Sequence, residues 1–149
     1  PYCGQFAREV SPKLIDKYVE SGTLRLEWRD FPYQGKESVD AALAARAAQE
    51  QGKFWEYHDL LYETQDQGYS EERLVTLADE VGLDVEEFRS SLESGENEAV
   101  VGEDFREGQE RGVSGTPTFV INGQTLVGLQ SLSVFEQTIE RAEQEAEGG

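Results

Sequence analysis

The sequence predicts an α/β protein in which a long all-helical block interrupts a smaller domain of mixed helix and strand, and three observations carry that expectation. The run Val113-Ser114-Gly115-Thr116-Pro117-Thr118-Phe119 leads straight into Val120-Ile121, a β-branched and aromatic strand opened by a proline. Proline cannot donate to a ladder, so it belongs at a strand's first position with a turn before it, here Ser114-Gly115. Asn122-Gly123 then separates this strand from Gln124 to Val127, the strongest short hairpin signal a sequence offers. Residues from about 36 to 111 show helical periodicity only.

The opening segment from Cys3 to about Glu20 repeats Phe6, Val10, Leu14 and Tyr18 every four residues, one apolar stripe on a helix. Pro12 removes a ladder bond and predicts a kink near Arg8. Ser21-Gly22 ends the helix. Thr23 to Phe31 then alternates, with Leu24, Leu26 and Trp28 on one side and Arg25, Glu27 and Arg29 on the other, which predicts a strand. In the helical block, Ser38 is the expected cap of an alanine-rich helix to about Gln51, and Phe54, Tyr57, His58 and Leu61 line the next. Ser70 opens a helix with Leu74, Leu77, Ala78 and Val81 inward. Asp84 with Glu87 has the form of a capping box for a helix carrying Val85, Phe88 and Leu92. A weaker helix runs from about Asn97 to Arg111. After the hairpin, Ser133 with Glu136 is expected to cap a last helix that carries Phe135, Ile139 and Ala142 and frays from Glu143.

At 149 residues the chain is one domain's worth. Its longest apolar run, Ala41 to Ala45, is cut by Arg46, so no membrane span or signal peptide is expected. A net charge of −18, from 31 acidic and 13 basic residues, excludes nucleic acid as a partner, because phosphate binding needs a basic surface. The acid lies along every helix and lysines are few, which fits a halophilic source better than a patch for a basic partner. His58 is the only histidine and shares an apolar stripe, so it reads as a packed helical residue and not as a metal ligand. Trp55, Tyr57 and Tyr62 read as core of the helical block. No carboxylate pair stands out.

The chain opens Pro1-Tyr2-Cys3-Gly4-Gln5-Phe6, and Cys3 is its only cysteine. Pro1-Tyr2-Cys3, Phe6 and the distant Gly115-Thr116-Pro117-Thr118-Phe119 together resemble the DsbA-like branch of the thioredoxin superfamily. In that family a Cys-Pro-Tyr/His-Cys motif opens a helix and a cis-proline loop packs against it. The resemblance covers nearly the whole chain and implies a thioredoxin-like fold over about residues 1–35 and 112–149, with a helical insertion over about 36–111. The family's first strand and first cysteine would lie immediately before Pro1. That gap, and the absence of methionine, lead us to expect that the sequence begins inside a longer protein.

The resemblance implies a thiol-disulfide oxidoreductase acting on exported proteins outside the cytoplasm, served by a redox partner protein and needing no metal or organic cofactor. Cys3 would resolve a mixed disulfide, with Pro1 as motif spacer and Tyr2 shaping the substrate groove. Pro117, in a cis bond, would rest against the sulfurs, and the backbone of Thr116 would pair with an extended substrate as an added strand. Beside this stand plainer readings: Cys3 as a buried structural thiol, Pro117 as a trans proline at a strand start. Two other activities fit the same fold, a glutathione-dependent isomerase or transferase and a non-catalytic peptide-binding module.

Overall fold

The computed structural model describes residues 1–148. The chain divides into two compact units: Pro1–Trp28 with the chain from Val113 onward, and Arg29–Gly112.

The first unit is built on a composite helix, α1, in which α-helical Tyr2–Gln5 and Ser11–Leu14 alternate with π-helical Phe6–Val10 and Ile15–Val19. Around Arg8, where the kink is expected, the Pro12 ring is accommodated by a widened turn: the Ser11 N–H skips a residue and donates to the Phe6 carbonyl. This also explains the stripe. Residues four apart overshoot a regular α-helical turn by about 40° each time, so a strict period of four would wind away from the core. The wide turns take up that drift, and Val10, Leu14 and Tyr18 are all buried.

Strands β1 (Thr118–Ile121) and β2 (Gln124–Val127) form an antiparallel hairpin with Phe119 opposite Leu126 and Val120 opposite Thr125. Asn122 and Gly123 both have positive φ, 46° and 87°, the pairing a tight two-residue hairpin turn demands. Helix α7 (Leu132–Gly148) closes the unit. Its cap is Ser131 and not Ser133: the Val134 N–H donates to Ser131 Oγ at 3.3 Å, while Ser133 already lies inside the first turn. The helix does not fray at Glu143 but runs to Gly148. Val10, Leu14 and Tyr18 of α1 meet Phe135 and Ile139 of α7, and Phe6, Leu24, Phe119, Ile121 and Leu126 pack onto that core. Along the edge of the same two helices, Lys17 pairs with Glu136, and the Tyr18 hydroxyl donates to Glu140 at 2.7 Å.

The strand expected at Thr23 to Phe31 is not formed. Its alternation survives as burial, with Leu24, Leu26 and Trp28 half-buried and Arg25, Glu27 and Arg29 exposed. A strand also needs a hydrogen-bonded neighbour, and among the described residues the only ladder is that of β1 with β2.

The second unit holds α2 (Lys36–Glu50), α3 (Phe54–Glu63), α4 (Glu71–Glu80), α5 (Val85–Ser94) and α6 (Glu98–Glu110). Ser70 caps α4 through the Arg73 N–H as the sequence suggests. Helix α2 starts earlier than expected, from Gly35 at φ 95°, which leaves Ser38 within its first turn. Asp84 accepts from the Glu87 N–H at 3.0 Å, but the returning arm of the box is replaced: the Asp84 N–H donates to Gln51 Oε1 at 2.8 Å. The Tyr57 ring is fully buried and its hydroxyl donates to the Leu74 carbonyl at 2.9 Å, whereas Trp55 is 40% exposed. No helix among the described residues is long and apolar enough to cross a membrane.

A carboxylate pair invisible in the sequence lies inside this unit. Arg46 donates through Nε to Asp30 at 2.6 Å and through Nη2 to Asp104 at 2.7 Å, while the Asp30 N–H donates to Asp104 at 3.0 Å. Asp30 is 2% exposed, and Arg46→Leu removes the guanidinium that bonds both it and Asp104, a change expected to cost about 3–5 kcal/mol in urea denaturation. A loss below about 1 kcal/mol would show that the network carries no structural weight.

His58 is buried, with Phe54, Trp55 and Tyr62 around its ring at centroid distances of 5.8, 5.2 and 5.0 Å. Burial holds its pKa below the ordinary 6.5, opposed by the Asp59 carboxylate 3.0 Å from Nδ1. A lowered folded-state value means that the unfolded chain takes the proton first. The contribution of His58 to stability is therefore complete above pH 6.5 and is lost as the pH falls toward its folded-state pKa. Proton NMR of this single imidazole is expected to give a midpoint below 6.5; a midpoint at or above that value would contradict its burial.

Candidate active site

Cys3 sits in the first turn of α1, where the Gln5 N–H, donating to the Pro1 carbonyl at 2.9 Å, makes the first ladder bond. The N–H groups before it have no acceptor within the helix, and no acidic side chain occupies that turn. The thiol is free and half-buried. Pro1 is exposed, Tyr2 is 62% exposed, and Gly4, next to the thiol, is buried.

The second half of the site comes from the turn that opens β1. Pro117 is buried, Thr116 is half-buried, and the bond between them is cis. The Pro117 carbonyl accepts from the Gly128 N–H at 2.8 Å, which carries the hairpin ladder one step beyond β1 and β2. Thr118 Oγ1 donates to the Gly115 carbonyl at 2.7 Å and closes the turn. Thr116 makes no hydrogen bond among the described residues, so its N–H and C=O are open to an added partner.

An aromatic triad brings the halves together. Phe6, three residues beyond Cys3, meets Phe119, two residues beyond Pro117, with ring centroids 4.6 Å apart. Phe135 of α7 completes the set, 5.3 Å from Phe6 and 4.7 Å from Phe119 in an edge-on contact. These separations and tilted planes are the preferred geometry for aromatic pairs. The first turn of α1 and the start of β1 are therefore fixed against one another and against α7. Sequence reading names Cys3 and Pro117 as candidate site residues but gives Phe6, Phe119 and Phe135 no joint role; three phenylalanines, one in each of the segments that meet here, were the available signal. Among the described residues no group of three His, Cys, Asp or Glu side chains is placed to hold a metal.

Against known proteins, a family model described as Thioredoxin matches residues 1–141. A probable disulfide bond formation protein D of Bacillus anthracis is 32% identical over 131 residues, which is 83% of this chain and 60% of that protein. A Na(+)/H(+) antiporter of Salinispora tropica is 34% identical over 141 residues, 93% of this chain but 21% of the antiporter. The chain thus spans part of the length of these relatives, about three fifths of one and one fifth of the other. Among solved structures, a thioredoxin-like oxidoreductase of Silicibacter pomeroyi superposes with a TM-score of 0.85 at 31% identity, covering 97% of this chain and 80% of that one. Oxidised BdbD of Bacillus subtilis shares the fold with a TM-score of 0.86 at 23% identity, over 95% of this chain and 80% of its own.

Phe135 is 1% exposed at the centre of the triad, and Phe135→Ala is expected to cost about 3–5 kcal/mol in chemical denaturation. The same truncation at the exposed Val127 should stay within about 0.5 kcal/mol. Equal losses at the two positions would contradict a core built on the three rings.

Proposed function

This chain belongs to the thioredoxin family, and on that premise we propose that it is of the DsbA-like branch and exchanges thiols and disulfides in exported polypeptides through Cys3. The observation that supports the reading most is the Phe6–Phe119 contact, which ties the cysteine-bearing turn to the cis-proline loop. The resolving role that the resemblance implies for Cys3 is itself attack of its thiolate on a disulfide sulfur, and the step we propose for this chain's own thiol is the same attack on one sulfur of a substrate disulfide. A bond forms from Sγ to that sulfur, the substrate S–S bond breaks, and the other substrate sulfur leaves as a thiolate. Pro117 has no N–H to compete for the thiolate, and the open backbone of Thr116 receives the substrate as an extended segment. Tyr2, largely exposed beside Cys3, flanks that segment. A full cycle between dithiol and disulfide takes two sulfurs, and Cys3 is the one this sequence contains, so the step derived is the exchange at that thiol.

The setting we propose is outside the cytoplasm, with a redox partner protein to reset the thiol, and saline. At −18 the chain repels itself in dilute buffer, and about 1 M salt shortens the reach of that repulsion to roughly 3 Å.

The test is incubation of the reduced chain with an oxidised, unfolded disulfide protein and, separately, with glutathione disulfide, followed by mass analysis. A polypeptide mixed disulfide that Cys3→Ser abolishes is the expected result. Saturable glutathione binding with no capture of the polypeptide would replace this reading by a glutathione-dependent one. Peptide binding by Cys3→Ser that equals the unaltered chain's, with no exchange by either, would leave a non-catalytic binding module.

A further inference from the structure

Helix α3 (Phe54–Glu63) is the one helix among the described residues that contains neither lysine nor arginine. Its buried side is made by Phe54, Tyr57, His58 and Leu61. At about 100° per residue, Trp55, Glu56, Asp59 and Glu63 share the opposite side, and all four are exposed. Trp55 keeps 40% of its surface in water, yet it is firmly held. Phe54 and His58 meet it in near-perpendicular contacts at centroid distances of 5.0 and 5.2 Å. The acids stand against the helix's own preferences. Asp59 and Glu63 are like charges four residues apart, and Glu63 lies in the last turn, where the helix dipole favours a cation.

Elsewhere the acids are answered in part. Lys36 pairs with Asp40 on α2, Arg111 with Glu107 on α6, and Lys17 of α1 with Glu136 of α7. Among the described residues no lysine or arginine pairs with Glu56, Asp59 or Glu63; Asp59 meets the imidazole of its neighbour His58 at 3.0 Å. The basic groups beside the helix are engaged. Arg46, 5.8 Å from the Phe54 ring, is held by Asp30 and Asp104, and Lys53 donates to the Val81 carbonyl at 2.8 Å. A tryptophan face is the best aromatic partner for a cation, and a guanidinium can stack on it as well as bond a carboxylate. Spacing adds to this. Trp55, Asp59 and Glu63 follow one another at about 6 Å along the helix axis, close to the roughly 6.7 Å between alternate side chains of an extended chain. We propose that this face of α3 docks an extended polypeptide segment carrying arginine at alternate positions, one guanidinium over Trp55 and the next on Asp59 and Glu63. The surface belongs to the helical unit and stands apart from the chemistry of Cys3. Long-range attraction by the −18 chain draws any basic segment and fades in salt; stacking on Trp55 selects arginine and survives it.

The probes are a short peptide with arginine at three alternate positions and its lysine and citrulline counterparts, titrated into the isotope-labelled chain at low and at high salt. The sequence has two tryptophans, so the indole N–H signal of Trp55 is assigned by its loss in one variant. The arginine peptide is expected to shift that signal and the amides of Glu56 to Glu63 at both salts. The lysine peptide should bind more weakly and lose its binding in salt, and the uncharged citrulline peptide should not bind. Trp55→Leu is expected to weaken arginine binding about tenfold. Glu63→Gln, which leaves the ring contacts of Trp55 intact, should weaken it about threefold. Glu145→Gln removes the same charge from an exposed position on α7 and should change nothing. Equal affinity for arginine and lysine, with shifts spread over every acidic helix and lost in salt, would overturn the proposal. So would binding of the citrulline peptide, binding that leaves the Trp55 signal unmoved, or no binding at all.

Discussion

The contact on which the rest depends is between three phenylalanine rings. Cys3 and Pro117 are far apart in sequence, and neither has a strong interaction of its own with which to find the other. Phe6, Phe119 and Phe135 supply it, one from each of the elements that meet there. Burial of rings of this size is the largest local driving force available, and the tilted geometry adds direction to it. The loop is held separately from behind by the Gly128 N–H on the Pro117 carbonyl. The turn that carries Cys3 and the strand that follows the cis bond are thus held together by the packing of these rings.

The wide turns of α1 serve the same contact. A regular helix carrying Phe6, Val10, Leu14 and Tyr18 would rotate its stripe off the core within three steps, and the ring of Phe6 would no longer meet Phe119. Alternating π-helical with α-helical turns keeps four residues to the turn, and Pro12, which has no N–H to place, falls directly after the first wide turn. The proline that seems to damage the helix sits where the ladder has already been relaxed.

Most of the fold was legible because its signals are local. The hairpin was readable from Asn122-Gly123, the helix starts at Ser70 and Asp84 from their side-chain acceptors, and the cis bond from the proline that opens the strand at Thr116-Pro117; the candidate site is named on Cys3 and that loop. What failed depends on partners distant in sequence. Thr23 to Phe31 has the alternation of a strand, but pattern alone cannot say whether a neighbour is present to bond it. The Asp30–Arg46–Asp104 network joins three segments, and nothing in an acidic sequence distinguishes those two carboxylates from the other acids. Ser133 with Glu136 matches a capping box, yet Ser131, two residues earlier, makes the cap; a pattern this short fits more than one frame.

Cys3 is also the chain's only sulfur, since the sequence has no methionine. Oxidants such as peroxide attack thiols and thioethers first, and in most proteins such lesions are scattered over several methionines. In this sequence every sulfur-centred injury falls on one atom, and it falls within the first turn of α1. Oxidation of that atom to the sulfinic state or beyond is irreversible by ordinary thiols and ends its nucleophilicity, while the three rings that hold the turn contain no sulfur to be attacked.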